Sequence, residues 1–304
     1  MSYHKALKRA AAILFLAGAL SFAACTQEPN DTPAQNNSEL QFLDEATQNQ
    51  SNEETDEMQN DADLQLLDGT VLEYLRDNQI TLLQLQPLVP GEELAILHTN
   101  KGDITLRFFP DEAPKAVENF KTHARNGFYD GLIFHRVIPG FMIQGGCPNG
   151  AGTGGTSIWG EGFSTEPSFN LRHFNGALAM AHAGPGTIGS QFYIVQNYEL
   201  DPRTIAEFED IIAHQDEAIG RFSDGTRLTL GDFFPAAELR HYLDNGGTPH
   251  LDWHRNQQGG HPVFGHVVDG MDVVNAIANT PQGAGNRPVD DMIIESISFI
   301  KYGE

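Results

Sequence analysis

The chain has 304 residues, enough for one large domain or two small ones, and 40% of them are hydrophobic, a share that excludes wholesale disorder. With 41 acidic against 18 basic residues the formal net charge is -23. Phosphate backbones and anionic membrane faces are therefore repelled, and nucleic acid is excluded as a partner.

Residues 1–25, "MSYHKALKRAAAILFLAGALSFAAC", place Lys5, Lys8 and Arg9 ahead of an apolar run from Ala10 to Leu20, followed by small residues. This pattern predicts a secretory signal over 1–24, too short for a transmembrane helix. Its end resembles a bacterial lipoprotein signal: Ala23 and Ala24 precede Cys25, although Phe22 stands where Leu, Val or Ile is usual. The resemblance implies a diacylglycerol on Cys25, whose two acyl chains suffice for stable anchoring. The protein would then be extracytoplasmic and lipid-anchored on a bacterial cell membrane. An ordinary signal peptide cut near Ala24 is the alternative. The other cysteine is Cys147, so no disulfide framework is expected, and Cys147 reads as a small half-buried residue after Gly145 and Gly146.

From Thr26 to Asp63 there are 11 Asp or Glu and no Lys or Arg. Such a segment buries too little apolar area to offset chain entropy, which predicts a disordered, self-repelling acidic tether over 25–63. Residues 64–92 form an N-terminal extension of unassigned role. Within it "TVLEYLRDNQ" opens on a capping box, Thr70 with Glu73, and spaces Val71, Leu72 and Leu75 as a short helix does.

The pattern changes to short strands at Glu93. "LAILHTNKGDITLRFF" predicts a hairpin turning at Asn100, Lys101 and Gly102. "DEAPKAVENFKTHARNG" predicts a helix, with Asp111 near its start, Pro114 in the first turn, Ala113, Val117 and Phe120 on one face, and Gly127 as its stop. Strands are expected at Leu132–Ile138, Phe141–Gln144, Ala177–Ala181 and Gln191–Gln196. A second helix fits "GMDVVNAIANTP", and "DMIIESISFI" supplies a last strand. Between them, 199–248 is a polar, helix-leaning insertion with Ile205, Phe208, Ile211 and Ile212 on one helical face; it reads as a buttress. Many short strands and two helices without βαβ alternation predict a mainly β fold, a closed antiparallel barrel capped by helices.

Three familiar chemistries fail on spacing. "GAGTGG" at Gly150–Gly155 matches a dinucleotide fingerprint, but no helical pattern follows, and Asn175 stands where an acidic ribose ligand belongs. His250 and His254 lie four residues apart with His261 beyond, yet Trp253, Gly259 and Gly260 argue for a loop, so no metal is expected. No Gly-x-Ser-x-Gly elbow is present. What remains is Arg136, a permanent charge inside "FHRVIPGFMIQGG". Strand parity puts Leu132, Phe134, Arg136 and Ile138 on one face, with the nearest acid, Asp130, outside the strand. Alone, Arg136 is equally an ion-paired rim residue or a site residue.

"FHRVIPGFMIQGG", then "GTGG", "AMAHAGPGTIGSQFYI" and "HPVFGHVVDGMDVV" together resemble the cyclophilins, peptidyl-prolyl cis-trans isomerases, in the same order over about 160 residues of 94–302. The resemblance implies an eight-stranded antiparallel barrel closed by two helices, here a domain over 93–302. It implies a site with Arg136, Phe141, Gln144 and His261 as catalytic residues. Met142, Gly152, Ala181, His182, Ala183, Gln191, Tyr193, His250 and Leu251 would contact substrate. His182 stands where Asn is frequent, Tyr193 where Phe is usual and His250 where many eukaryotic members carry Trp, and the loop before His261 is longer than the family's.

These residue types suit the reaction. An X-Pro bond rotates over a barrier near ~20 kcal/mol because the planar amide must lose resonance. No bond breaks, so no nucleophile, metal or cofactor is required. In the twisted state the amide nitrogen recovers its lone pair, and a donor aimed at it stabilises the transition state more than the ground state. A guanidinium supplies such a donor at every working pH. Phe141, Met142, Tyr193 and Leu251 would seat the proline ring, while Gln144 would hold the peptide backbone. The expected protein is a monomeric isomerase acting on proline-containing segments of exported proteins. A non-catalytic proline-peptide binding module or holdase is the alternative, and a scaffold whose insertion contacts a partner is a third reading.

Overall fold

The structure, a computed structural model, describes residues 79–221, 226–252 and 260–304. The signal segment, Cys25, the acidic tether, the Thr70–Glu73 capping box and His254 lie outside the described residues.

Eight strands form one antiparallel sheet: β1 (Glu93–Thr99), β2 (Gly102–Phe108), β3 (Arg136–Ile138), β4 (Phe141–Gly145), β5 (Ala177–Met180), β6 (Phe192–Gln196), β9 (Val263–Asp269) and β10 (Ile294–Lys301). Their order is β10-β1-β2-β9-β5-β6-β4-β3. Helices α1 (Pro114–Arg125) and α5 (Met271–Ala278) complete the predicted set.

The strands bury both faces. Along β5 and β6 the side chains alternate: Leu178, Met180, Phe192 and Ile194 enter the main core, whereas Ala177, Ala179, Tyr193 and Val195 enter a second cluster on the opposite face. The main core is closed by α1 through Val117 and Phe120 and by α5 through Val274 and Ile277. Phe120 is its hub, with ring centroids of Tyr129 and Phe192 at 5.2 Å and of Phe264 at 5.4 Å. Burying a ring of this kind stabilises by roughly 1.5–3 kcal/mol.

Three expectations change. The sheet is open, not closed: β3 and β10 share no ladder. The edge is bridged by Ile133 with Ile293 and by Gly131 N–H donating to Ile294 O, Phe134 N–H to Met292 O and Ile294 N–H to Leu132 O, each at 2.8 Å. The predicted strand Leu132–Ile138 shrinks to Arg136–Ile138, because the chain before Arg136 leaves the regular pleat to make those contacts. The parity argument fails with it, since Phe134 and Val137 both enter the main core and Phe134 does not share the face of Arg136. Helix α1 begins at Pro114, which stands in its first turn as the sequence predicts. Its N-cap Ala113 has no side-chain acceptor, so Glu166 caps it from a distant loop, accepting from Lys115 N–H at 3.0 Å and Ala116 N–H at 2.9 Å.

Segment 199–248 holds α2 (Pro202–Ala213), a hairpin of β7 (Ala218–Arg221) and β8 (Arg227–Thr229), α3 (Leu230–Phe233) and α4 (Ala236–Asn245). The hairpin was not anticipated from the helical pattern. Phe208 and Ile211 of α2 bury against Leu239 and Tyr242 of α4 in a core of their own, which also takes Leu82 of the extension.

Candidate active site

Arg136 lies at one end of a cross-strand row. Register pairs it with Gln144, Gln144 with Tyr193, and Tyr193 with Ala179, so side chains from four strands line up across the outer face. Arg136 Nη1 donates to Gln144 Oε1 at 3.3 Å, and Gln144 Nε2 donates to Gln191 Oε1 at 3.0 Å. Gln191 Nε2 donates in turn to Gly152 O at 3.1 Å and Gly154 O at 2.9 Å. The glycine loop that mimics a dinucleotide fingerprint thus presents carbonyl oxygens to this relay.

The next row, two residues along, is apolar: Ile138 pairs with Met142 and Met142 with Val195. Met142, Tyr193 and Leu251 fall in one cluster with Phe141. Met142, Leu251 and Tyr193 are only 2%, 4% and 5% exposed, so they form a packed floor, and the half-buried Phe141 presents more surface. Its ring stacks on exposed His250 with centroids 6.2 Å apart. Leu251 belongs to a 3-10 turn, Pro249–Leu251, that follows segment 199–248 directly.

The opposite wall comes from Ala181 to Ala183. Ala181 N–H donates to Gln191 O at 2.9 Å, and exposed Ala183 donates its N–H to Thr187 Oγ1 at 3.0 Å. His182 Nδ1 accepts from Gly184 N–H at 3.2 Å, so Nε2 carries the hydrogen and donates to Gly260 O at 3.3 Å. Its ring lies 4.3 Å from that of His261, which stands edge-on to Tyr193 at 5.4 Å. His261 Nδ1 donates to Met180 O at 3.1 Å. Burial holds His182 below the ordinary histidine range. Burial, and then the charge that His182 and His173 would carry, brings His261 down to about 3. Both rings are neutral near pH 7, and Arg136 is the fixed charge of the group.

Gly146 turns the chain out of β4 with φ 78°, and a Cβ there would sit 2.5 Å from Ser190 O; only glycine fits such a conformation and approach. Cys147 follows it and is fully buried, not half-buried, with Sγ donating to Thr153 O at 3.1 Å. His250 and His261 have separate ring partners, and among the described residues no three His, Cys, Asp or Glu side chains are grouped to hold a metal.

Sequence reasoning missed two features. His135 is buried beside Arg136, with neither ring nitrogen hydrogen-bonded, and burial followed by the charges of Arg136 and Arg287 lowers it to about 4. Behind the floor, His173 stacks on Tyr193 and meets Asp252. No local pattern marks this contact, because its partners are 79 residues apart.

A half-buried cation tied to glutamines beside an apolar floor can donate to a nitrogen and exclude water from an amide, and it offers no nucleophile. The family model for cyclophilin type peptidyl-prolyl cis-trans isomerases matches residues 94–299. A Staphylococcus haemolyticus protein bearing the name of a peptidyl-prolyl cis-trans isomerase is 45% identical over 217 residues, 70% of this chain and 95% of the relative. One of the same name from Staphylococcus aureus is 44% identical over 207 residues, covering 68% and 91%. A crystal structure of a cyclophilin type isomerase from Cryptosporidium parvum aligns with TM-score 0.49 and 28% identity, covering 69% of this chain and 98% of that one. The chain belongs to the cyclophilin type peptidyl-prolyl cis-trans isomerases, and it is an isomerase.

Proposed function

We propose that Arg136 drives X-Pro rotation by donating to the imide nitrogen as it pyramidalises, while Phe141, Met142, Tyr193 and Leu251 carry the proline ring and Gln144 and Gln191 bind the peptide backbone. The observation that carries this reading is the hydrogen bond from Arg136 to Gln144, in a cross-strand row that continues to Tyr193 of the apolar floor. A preorganised donor of this kind contributes about 3–4 kcal/mol, two to three powers of ten in rate. His261 and His182 border the site as neutral rings that pack against Tyr193 and against each other.

The test is exchange of a proline peptide measured with the mature chain and with Arg136→Ala. The variant should lose about a hundredfold or more in kcat while still binding peptide. An unchanged rate would refute the arginine role, and peptide binding by the wild type without accelerated exchange would leave a binding module.

The substrates we propose are proline-containing segments of exported proteins, reached by an isomerase domain over 93–302 on an acidic tether from a lipidated Cys25. The support is the charged, apolar and small-residue order of the first 25 residues. Cys25→Ser should release the protein from the membrane fraction; retention of that variant would contradict the anchor.

A further inference from the structure

We propose that Tyr242, Asp252 and His173 are positioning residues for the proline-binding floor, fixing Tyr193 and Leu251 relative to helix α4 of segment 199–248. The proposal rests on the isomerase site proposed above and adds to it a role for that segment.

All three side chains are nearly or completely buried, at 0%, 1% and 2% exposure. Tyr242 Oη donates to Asp252 Oδ2 at 2.6 Å. Asp252 Oδ1 accepts from the His173 backbone N–H at 2.7 Å and from its Nδ1 at 3.0 Å. The His173 ring then lies nearly parallel to that of Tyr193, 12° apart with centroids at 6.2 Å. Asp252 also follows Leu251 in the chain and closes its turn, donating its N–H to Pro249 O at 3.1 Å. One carboxylate therefore reaches the floor twice, through the backbone to Leu251 and through the imidazole to Tyr193.

The backbone reinforces the connection. Thr248 N–H donates to His173 O at 2.8 Å, and Phe174 bridges Gly247. Gly247 has φ 137°, and a Cβ there would meet His173 O at 2.5 Å and Tyr242 Cε1 at 2.6 Å. The chain leaving α4 is thus threaded between the two residues that Asp252 joins, which only glycine permits.

Stability alone does not require this arrangement. Desolvating a carboxylate is costly, and well-packed apolar side chains of similar volume would hold α4 against the sheet at least as firmly. What the hydrogen bonds add is direction: each admits a narrow range of distance and angle, so α4, His173 and the Pro249–Leu251 turn keep one mutual placement. The floor contacts the proline ring in both the planar and twisted states. Misplacing it weakens binding of the two alike, which appears in KM and not in kcat. Arg136 acts only on the twisted state, so its loss appears in kcat.

The experiment compares wild type, Tyr242→Phe, Asp252→Asn and Leu239→Ala, with a tetrapeptide containing one Ala-Pro bond as probe. Peptide Kd comes from NMR titration, KM and kcat from the isomerase assay, and Tm from thermal melts. Tyr242→Phe keeps the ring and removes one hydrogen bond. It should raise Kd and KM about fivefold with kcat within about twofold. Leu239 is fully buried in the separate core of α2 and α4; Leu239→Ala should lower Tm and leave Kd unchanged. If Tyr242→Phe does not fold, Asp252→Asn is read in the same way. A lowered Tm with unchanged Kd and KM in Tyr242→Phe would overturn the proposal, as would an equal rise in Kd for Leu239→Ala. Because Kd is read without turnover, a wild type that binds but does not accelerate exchange would sink the isomerase mechanism while the positioning claim was still decided.

Discussion

Glu238→Gln is expected to lower stability by about 3 kcal/mol. Glu238 on α4 and Arg172 are each 0% exposed and approach to 2.7 Å. Removing one partner of a fully buried pair leaves the other charge uncompensated, which costs about 3–5 kcal/mol. The lower end applies here for two reasons. Arg172 Nη1 keeps its bonds to Phe169 O at 2.9 Å and Leu171 O at 3.0 Å, and the Asp252 charge also favours the cation. For a domain of this size each kcal/mol moves Tm by about 2–4 °C, so the expected drop is about 6–12 °C. Thermal melts of wild type and Glu238→Gln followed by far-UV circular dichroism measure it. A double replacement, Arg172→Met with Glu238→Leu, should recover most of the loss, since an apolar pair has no desolvation cost. A drop below about 2 °C for Glu238→Gln would refute the reasoning, because the pair would then be hydrated or already offset elsewhere.

Activity should be nearly flat from about pH 5 to 8, since Arg136 stays charged and His261, at about 3, stays neutral; a bell-shaped rate profile would show an acid or base missing from the mechanism. Stability behaves differently. His261 and His266 are both lowered to about 3 in the folded chain, chiefly by burial, while the unfolded chain takes up these protons near ~6.5. Their contribution is full above that value and is lost as pH falls from about 6.5 towards 3. Tm should therefore decline across that window, and His266→Gln should flatten part of the decline; an identical slope in the variant would contradict the assignment. Arg136→Lys should recover little of the rate lost in Arg136→Ala, because an ammonium lacks the planar fork that Gln144 holds, and full recovery in the same assay would show that charge alone suffices.

Much of the site was legible because it lies in short contiguous runs. "FMIQGG" carries Phe141, Met142 and Gln144 on adjacent rows of one strand, and antiparallel register does the rest. The two helices were equally plain, since Val117 and Phe120 follow one helical stripe. The closed barrel was not, because closure depends on whether the short β3 reaches β10 along a ladder, and no single strand's pattern records that. Nor was it legible that Phe134 and Arg136 take different faces, because the chain leaves the regular pleat before Arg136 and alternation stops there. "ALAM" and "FYIVQ" are buried on both sides, so alternation carries no contrast between the main core and the floor. Asp252 reads as an ordinary loop acid until the fold brings to it His173, 79 residues earlier, and Tyr242, 10 residues earlier.

The Glu166 cap on α1 couples a helix end to a loop some 50 residues away. Glu112, just before the helix, accepts from Asn170 Nδ2 at 3.0 Å and from Ser168 Oγ, so the same loop grips the chain on both sides of the helix start. The amides of Lys115 and Ala116 then exchange hydrogen with solvent at the rate at which this loop lifts, not at the rate at which a helix end frays. Their protection is a clock for the docking of 166–170, readable without any substrate.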